Sequence, residues 1–256
     1  MLHLADTTLI LSQRNSEWCG HGPILEQDIA ITNISLDLLG QSRNFYQYAA
    51  EIINTTTNTE GPRAPSPQVE GAGGEVNENT LAYLRKEREF KNLLLTELPN
   101  GDWGQTILRQ YFFSQFQFLL FQQLKNSKDE KVVAIVTKAL KEIAYHVRWS
   151  SEWVIRLGDG TEESHRRMLH ATSELWRYTG EMFLLADYEK ETGIDFELLK
   201  DEWYKKIKVI FDQATLPIPE NVFMQSGGKD GVHTEHLGYI LTELQYIQRA
   251  YPNSEW

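Results

Sequence analysis

The chain has 256 residues, with 25 Lys and Arg against 36 Asp and Glu and a formal charge of −11. A chain of this size can bury a real core as one domain or two, and its acidity weighs against broad binding to nucleic acid or to an anionic membrane. Its one cysteine, Cys19, excludes a disulfide framework and a cysteine metal site.

The opening Met1-Leu2-His3-Leu4-Ala5-Asp6 has no basic region or cleavage site of a secretory signal. The longest strongly apolar run, Gln110 to Leu124, is too short to span a bilayer and holds five glutamines. A soluble, cytoplasmic protein with no membrane partner and no nucleic-acid partner is expected.

In chain order, Leu4, Thr8, Leu9 and Leu11 place a first helix over 4–18. Pro23 opens a long second helix to about Asn54, with Glu26 and Asp28 complementing its dipole. Its expected apolar face is Leu25, Ile29, Leu36 and Leu39, widened by Ile31, Ile34 and Leu38. Asp37 lies in mid-helix as a candidate buried carboxylate. Thr55 to Asn79 holds three prolines and four glycines with almost no large apolar residue, and reads as a flexible loop inside one bundle. A third helix is predicted over 79–98, ended by Pro99-Asn100-Gly101. A fourth, Trp103 to Asn126, is apolar nearly all round (Phe112, Phe113, Phe116, Phe121), which fits either a central helix or one covered by a partner.

The fifth helix, Lys128 to Leu157, organises the chain. Val136, Leu140, Ile143, Val147, Val154 and Leu157 recur at steps of four and three, with Ser150 in the gap. A second stripe, Ala139, Glu142, His146, Trp149 and Trp153, sets a carboxylate and an imidazole one turn apart among apolar residues. Burying either costs several kcal/mol, on the order of 2–7, unless it is paired or bound. Gly158-Asp159-Gly160 ends this helix. Thr161 caps a sixth helix to about Thr192, Asp195 a seventh through Ala214, and an eighth runs from His233 to Ala250. No segment reads as a strand. The expected fold is all-α, a single bundle over residues 1–256 with flanking helices.

Inward acids and histidines on a bundle invite comparison with di-iron sites, where a Glu from each of two helices joins a Glu-x-x-His from each of two others. Carboxylates fall at Asp37, Glu87 and Glu142. The histidine positions carry Phe90 and Tyr145 instead, and His146 is one residue late, about 100° round the helix. A hydrogen-bonded Glu142–His146 pair is the reading favoured over metal ligation. The literal Glu162-x-x-His165 sits at a helix start, where acids serve the dipole. His233-Thr234-Glu235-His236 is either part of an alternative metal site, His146 with His233, Glu235 and His236, or a cap built on Thr234. Gly227-Gly228-Lys229 has the flexibility and charge to meet a phosphate through Lys229 but lacks the Walker spacing. No catalytic or cofactor-binding residue is assigned.

Several stretches together resemble the family of C subunits of the bacterial phenylacetyl-CoA 1,2-epoxidases, ring-epoxidising multicomponent monooxygenases of the ferritin-like superfamily. They are Glu26 to Ala30, Asn33 to Asn44, Arg88 to Leu95, Glu97 to Gly101, Arg109 to Phe112, Lys141 to His146 and Gly227 to Gly238. The resemblance covers nearly the whole chain and departs at the Thr55–Asn79 loop, which is longer than usual. It implies a ferritin-like bundle acting as the non-catalytic structural partner of the homologous catalytic subunit. That partner holds the di-iron centre and the substrate thioester, and an iron–sulfur flavin reductase supplies its electrons. This chain would then carry no cofactor, and its vestigial acids would pair with arginines such as Arg43, Arg88 or Arg148. Self-association of the isolated chain is compatible with this. Two other readings stand beside it: an independent metal-dependent oxidase using Glu142, His146 and the His233–His236 cluster, and a regulatory subunit whose Lys229 reaches the CoA phosphates.

Overall fold

A computed structural model of the chain describes residues 1–60, 76–251 and 254, with side chains 57–60 left out. The helices are α1 (Leu2–Ser16), α2 (Leu25–Glu60), α3 (Glu78–Tyr83), α4 (Leu94–Glu97), α5 (Trp103–Leu124), α6 (Glu130–Gly158), α7 (Glu162–Leu175), α8 (Phe196–Gln213) and α9 (Glu235–Ala250). No strand occurs among the described residues. The fold is all-α and consistent with a ferritin-like helical bundle. The residues group into two compact units. The first comprises Met1–Trp18, Ile31–Leu98 and Gly227–Trp256, and the second Cys19–Ala30 and Pro99–Ser226.

Helix starts follow local chemistry. Asp102, Asp129 and Asp195 cap α5, α6 and α8 by accepting backbone N–H bonds in the first turn, which satisfies donors the helix itself cannot. Thr161 and Ser164 form the box that opens α7. Most of the Thr55–Asn79 loop lies outside the described residues, but α2 extends past its expected end to Glu60. Where the chain returns, the Asn54 side chain grips both backbone groups of Val76, at 2.8 Å to its carbonyl and 3.1 Å to its N–H.

In the second unit α5 packs against α6, α7 and α8. Its aromatic run is core: Phe112, Phe113, Phe116 and Phe121 are buried, and Phe112 meets Trp176, Trp203 and Phe211 with ring centroids 5.6–5.9 Å apart. Along α6, Val136, Leu140, Ile143, Ser150 and Val154 are buried as their spacing predicts, and Trp103 stands edge-on to Trp149 and Trp153.

Two expectations fail and a third, the α2 face, holds only in its widening residues. The third predicted helix is broken into α3, a 3-10 turn at Glu87–Glu89, an extended stretch and α4. Arg85 turns inward, and the N–H of Lys91 goes to the Asp6 carboxylate (2.8 Å) instead of to a helical carbonyl. The sixth predicted helix ends at Leu175 and continues as 3-10 turns. Arg177 gives its carbonyl to the N–H of Gln225 (2.7 Å), and a Cβ on Gly180 would sit 2.7 Å from Met224. On α2 the buried face is Ile31, Ile34, Leu38 and Phe45, while Leu25, Ile29, Leu36 and Leu39 are exposed. Both stripes have helical spacing. Hydrogen bonds choose between them, because Ser12 donates to the Ser35 carbonyl and Ser42 to that of Ala5, seating that side of α2 on α1.

Candidate functional site

The polar interior of the first unit is built around the segment Lys86–Leu93. On one side of it lies Asp6, the only acid of α1, fully buried. Its carboxylate is bonded to both terminal nitrogens of Arg85, accepts from the Tyr46 hydroxyl at 2.5 Å and takes the Lys91 N–H. Arg85 also donates to the carbonyls of Leu81 (2.5 Å) and Glu89 (2.9 Å), so its guanidinium is saturated while fully buried. Burial and the Asp6 charge push the Tyr46 phenol well above its usual range. The guanidinium lies over the Phe90 ring, 4.2 Å from its centroid.

A second cluster centres on Glu97, also fully buried. Its Oε1 receives Asn92 Nδ2 (2.8 Å) and His233 Nδ1 (2.6 Å), and its Oε2 receives the Thr234 N–H (2.8 Å) and hydroxyl (2.6 Å). His233 Nε2 faces the Phe90 carbonyl at 2.9 Å. Burial pulls the His233 pKa down, but the bond to Glu97, its charge, the Phe90 carbonyl and the charge of Glu87 outweigh it and hold the imidazole above its usual value. A carboxylate with four protein donors and an imidazole with both nitrogens engaged are closed arrangements.

The glycine loop is a packing device. Gly227 and Gly231 take φ values of 145° and 80°, where side chains are strained. A Cβ on Gly228 would lie 2.1 Å from the Asn92 carbonyl oxygen, and one on Gly231 2.3 Å from that of Arg88. The loop is thus pressed onto the backbone of the 88–94 segment. Lys229, the residue read as a possible phosphate contact, is only 4% exposed. Its charge lies near His3, whose Nδ1 meets the Lys91 carbonyl at 2.5 Å. Burial and Lys229 together lower the His3 pKa to about 3.

The di-iron template positions are distributed as follows. In the first unit Asp37 is half-buried on α2, Glu87 is exposed in the 3-10 turn, and Phe90 is extended and fully buried. Glu87 and Phe90 therefore do not share one face of a helix, as the template requires. In the second unit Glu142 is half-buried, His146 is fully buried and Tyr145 is 37% exposed. Two of the arginines expected beside these acids are placed elsewhere: Arg43 lies 3.5 Å from Glu78, and Arg148 lies over the Tyr145 ring. Glu162 is exposed and His165 Nδ1 meets the Gly158 carbonyl at 2.6 Å. At the start of α9 Glu235 is exposed and His236 half-buried, while Thr234 is the N-cap, accepting the His236 N–H. With His233 turned to Glu97 and Phe90, the four residues do not converge on a common point. Among the described residues no group of three or more His, Cys, Asp or Glu could hold a metal ion.

Asp6, Tyr46, Arg85, Asn92 and Glu97 were not singled out from the sequence. The available signal was charge in apolar company: Asp6 between Ala5 and Thr7 on a helix rich in Leu and Ile, and Glu97 before Leu98-Pro99.

The family described as phenylacetic acid catabolic protein matches residues 1–256. The chain is 44% identical over 260 residues to the C subunit of the 1,2-phenylacetyl-CoA epoxidase of Escherichia coli (strain K12), an alignment covering all of this chain and 97% of that protein. The buried Asp6–Arg85 and Glu97–His233 pairs thus sit in a chain that, end to end, belongs to the phenylacetic acid catabolic protein family.

Proposed function

We propose that this chain is a non-catalytic, structural subunit of a phenylacetyl-CoA 1,2-epoxidase complex. It pairs with the homologous di-iron catalytic subunit of that complex and stabilises it in aerobic phenylacetate breakdown. The end-to-end likeness to an epoxidase C subunit supports membership of such a complex. The observation that carries the structural role is the 86–97 segment. Where a di-iron bundle carries Glu-x-x-His on a helix, this chain has Glu87 facing outward and Phe90 sealed under Arg85. The acids buried completely, Asp6 and Glu97, are bonded to the protein itself.

The metal chemistry, and the electrons passed from the reductase, then belong to the partner. When bound there, the di-iron centre supplies activated oxygen for ring epoxidation. This chain contributes a rigid helical surface. No described helix is long and apolar enough to cross a membrane, which accords with assembly in the cytoplasm.

The test is metal analysis of the chain purified alone and of its complex with the catalytic partner. About two irons per complex and essentially none on this chain alone is the expected result. Close to two irons on the isolated chain overturns the proposal and favours an independent oxidase.

A further inference from the structure

We infer that the His233–Glu97 contact is a proton-dependent latch holding α9 and the glycine loop onto the 86–97 segment, so that α9 loosens from the first unit as the medium becomes alkaline. This does not rest on the proposed role in an epoxidase complex. The geometry is that of a ring between two acceptors: Glu97 Oε1 at 2.6 Å from Nδ1, and the Phe90 carbonyl at 2.9 Å from Nε2. A neutral imidazole has one N–H and one lone pair. Whichever nitrogen keeps the proton, the other turns a lone pair on an oxygen. Only the imidazolium donates to both. The side chains of His233 and Glu97 are both 0% exposed, so water does not relieve the mismatch.

The latch sits where α9 is fastened. Glu97 holds both the N–H and the hydroxyl of Thr234, the N-cap. The adjoining loop is pressed on Asn92 and Arg88 through Gly228 and Gly231. Within this unit α9 contacts α1, α3, α4 and the Glu87–Glu89 turn, so release at its first residue frees an element that closes the unit. The charged groups facing the pair are Glu87 from that turn and Arg14 from α1, whose guanidinium donates to the Glu97 carbonyl at 2.8 and 3.0 Å. Beyond these, Lys229 of the loop lies by His3 of α1, and Glu235 and His236 follow in the first turn of α9. The ring is held charged above its usual pKa, so loss of the latch begins near pH 6.5 and completes above it.

Hydrogen–deuterium exchange of the full chain across this range, corrected for intrinsic rates, tests the latch with α6 as internal reference. Protection in 227–250 is expected to fall by roughly tenfold or more relative to α6 as pH rises, a change of about 1.4 kcal/mol. In His233→Gln, which carries no titratable ring, α9 exchange is raised at all pH values and its pH dependence is lost. Protection in α9 that tracks α6 throughout, or a variant that keeps the wild-type profile, overturns the inference. Should the variant not fold, NMR titration of the His233 ring in the wild type decides. Loss of ring charge coincident with loss of α9 protection supports the latch, and a ring that stays in one protonation state while α9 loosens overturns it.

Discussion

Arg85 closes over the Phe90 ring, its guanidinium carbon 4.2 Å from the ring centroid, and both side chains are fully buried. Position 90 therefore faces a fixed cation, and a metal ligand there would oppose a metal to a guanidinium. Phe90→His is expected to lower stability by about 3–5 kcal/mol, in the range of core aromatic truncations, without creating metal binding. Chemical denaturation and metal analysis of the same preparation check both parts, and metal uptake by the variant would contradict the geometry.

Removing one member of a buried ion pair strands the other. Asp6→Asn leaves Arg85 facing a neutral amide at 0% exposure and is expected to cost about 3–5 kcal/mol. Replacing both residues by leucine and methionine is expected to cost less than the single change, because no uncompensated charge stays buried. Urea unfolding of the single and double variants gives the comparison.

Two glycines separate close approach from open space. Gly228→Ala places a methyl 2.1 Å from the Asn92 carbonyl oxygen, so the loop must lift and thermal stability falls. Gly40 is in α2 with nothing within 4 Å of a Cβ, and Gly40→Ala is expected to stabilise the isolated chain by about 0.5–1 kcal/mol through helix propensity. Equal effects at the two positions would discount the packing argument.

His3 and His233 bear on pH in opposite senses. His3 has a folded pKa of about 3, below its usual 6.5. The unfolded chain takes up a proton there that the folded chain refuses, so this contribution is present above about pH 6.5 and is lost as pH falls toward 3. His3→Gln is expected to flatten the acid limb of a stability–pH profile in that window. An unchanged limb would assign acid sensitivity elsewhere.

Leu36 and Leu39, one turn apart on α2, are 59% and 43% exposed, which makes them a face on which the proposed pairing can be tested. Leu36→Glu with Leu39→Glu is expected to leave the melting temperature of the isolated chain nearly unchanged and to reduce recovery of the chain with the proposed catalytic partner. Undiminished recovery would place the proposed pairing on another face.

The sequence by itself determined the helices whose signals are local. Thr161 and Asp195 mark their starts because a short polar side chain at that point satisfies otherwise unpaired N–H groups. The step-four, step-three run on α6 determined its buried face in the same way. Tertiary structure decided what depends on distant partners. The stretch after Tyr83 has helical composition, yet Asp6, 85 residues upstream of Lys91, takes the N–H that would have continued a helix. The two apolar stripes of α2 are equivalent in sequence until Ser12 and Ala5 select one. His233 looked like a ligand from its neighbours in sequence, and Glu97, 136 residues away, made it one half of a buried pair.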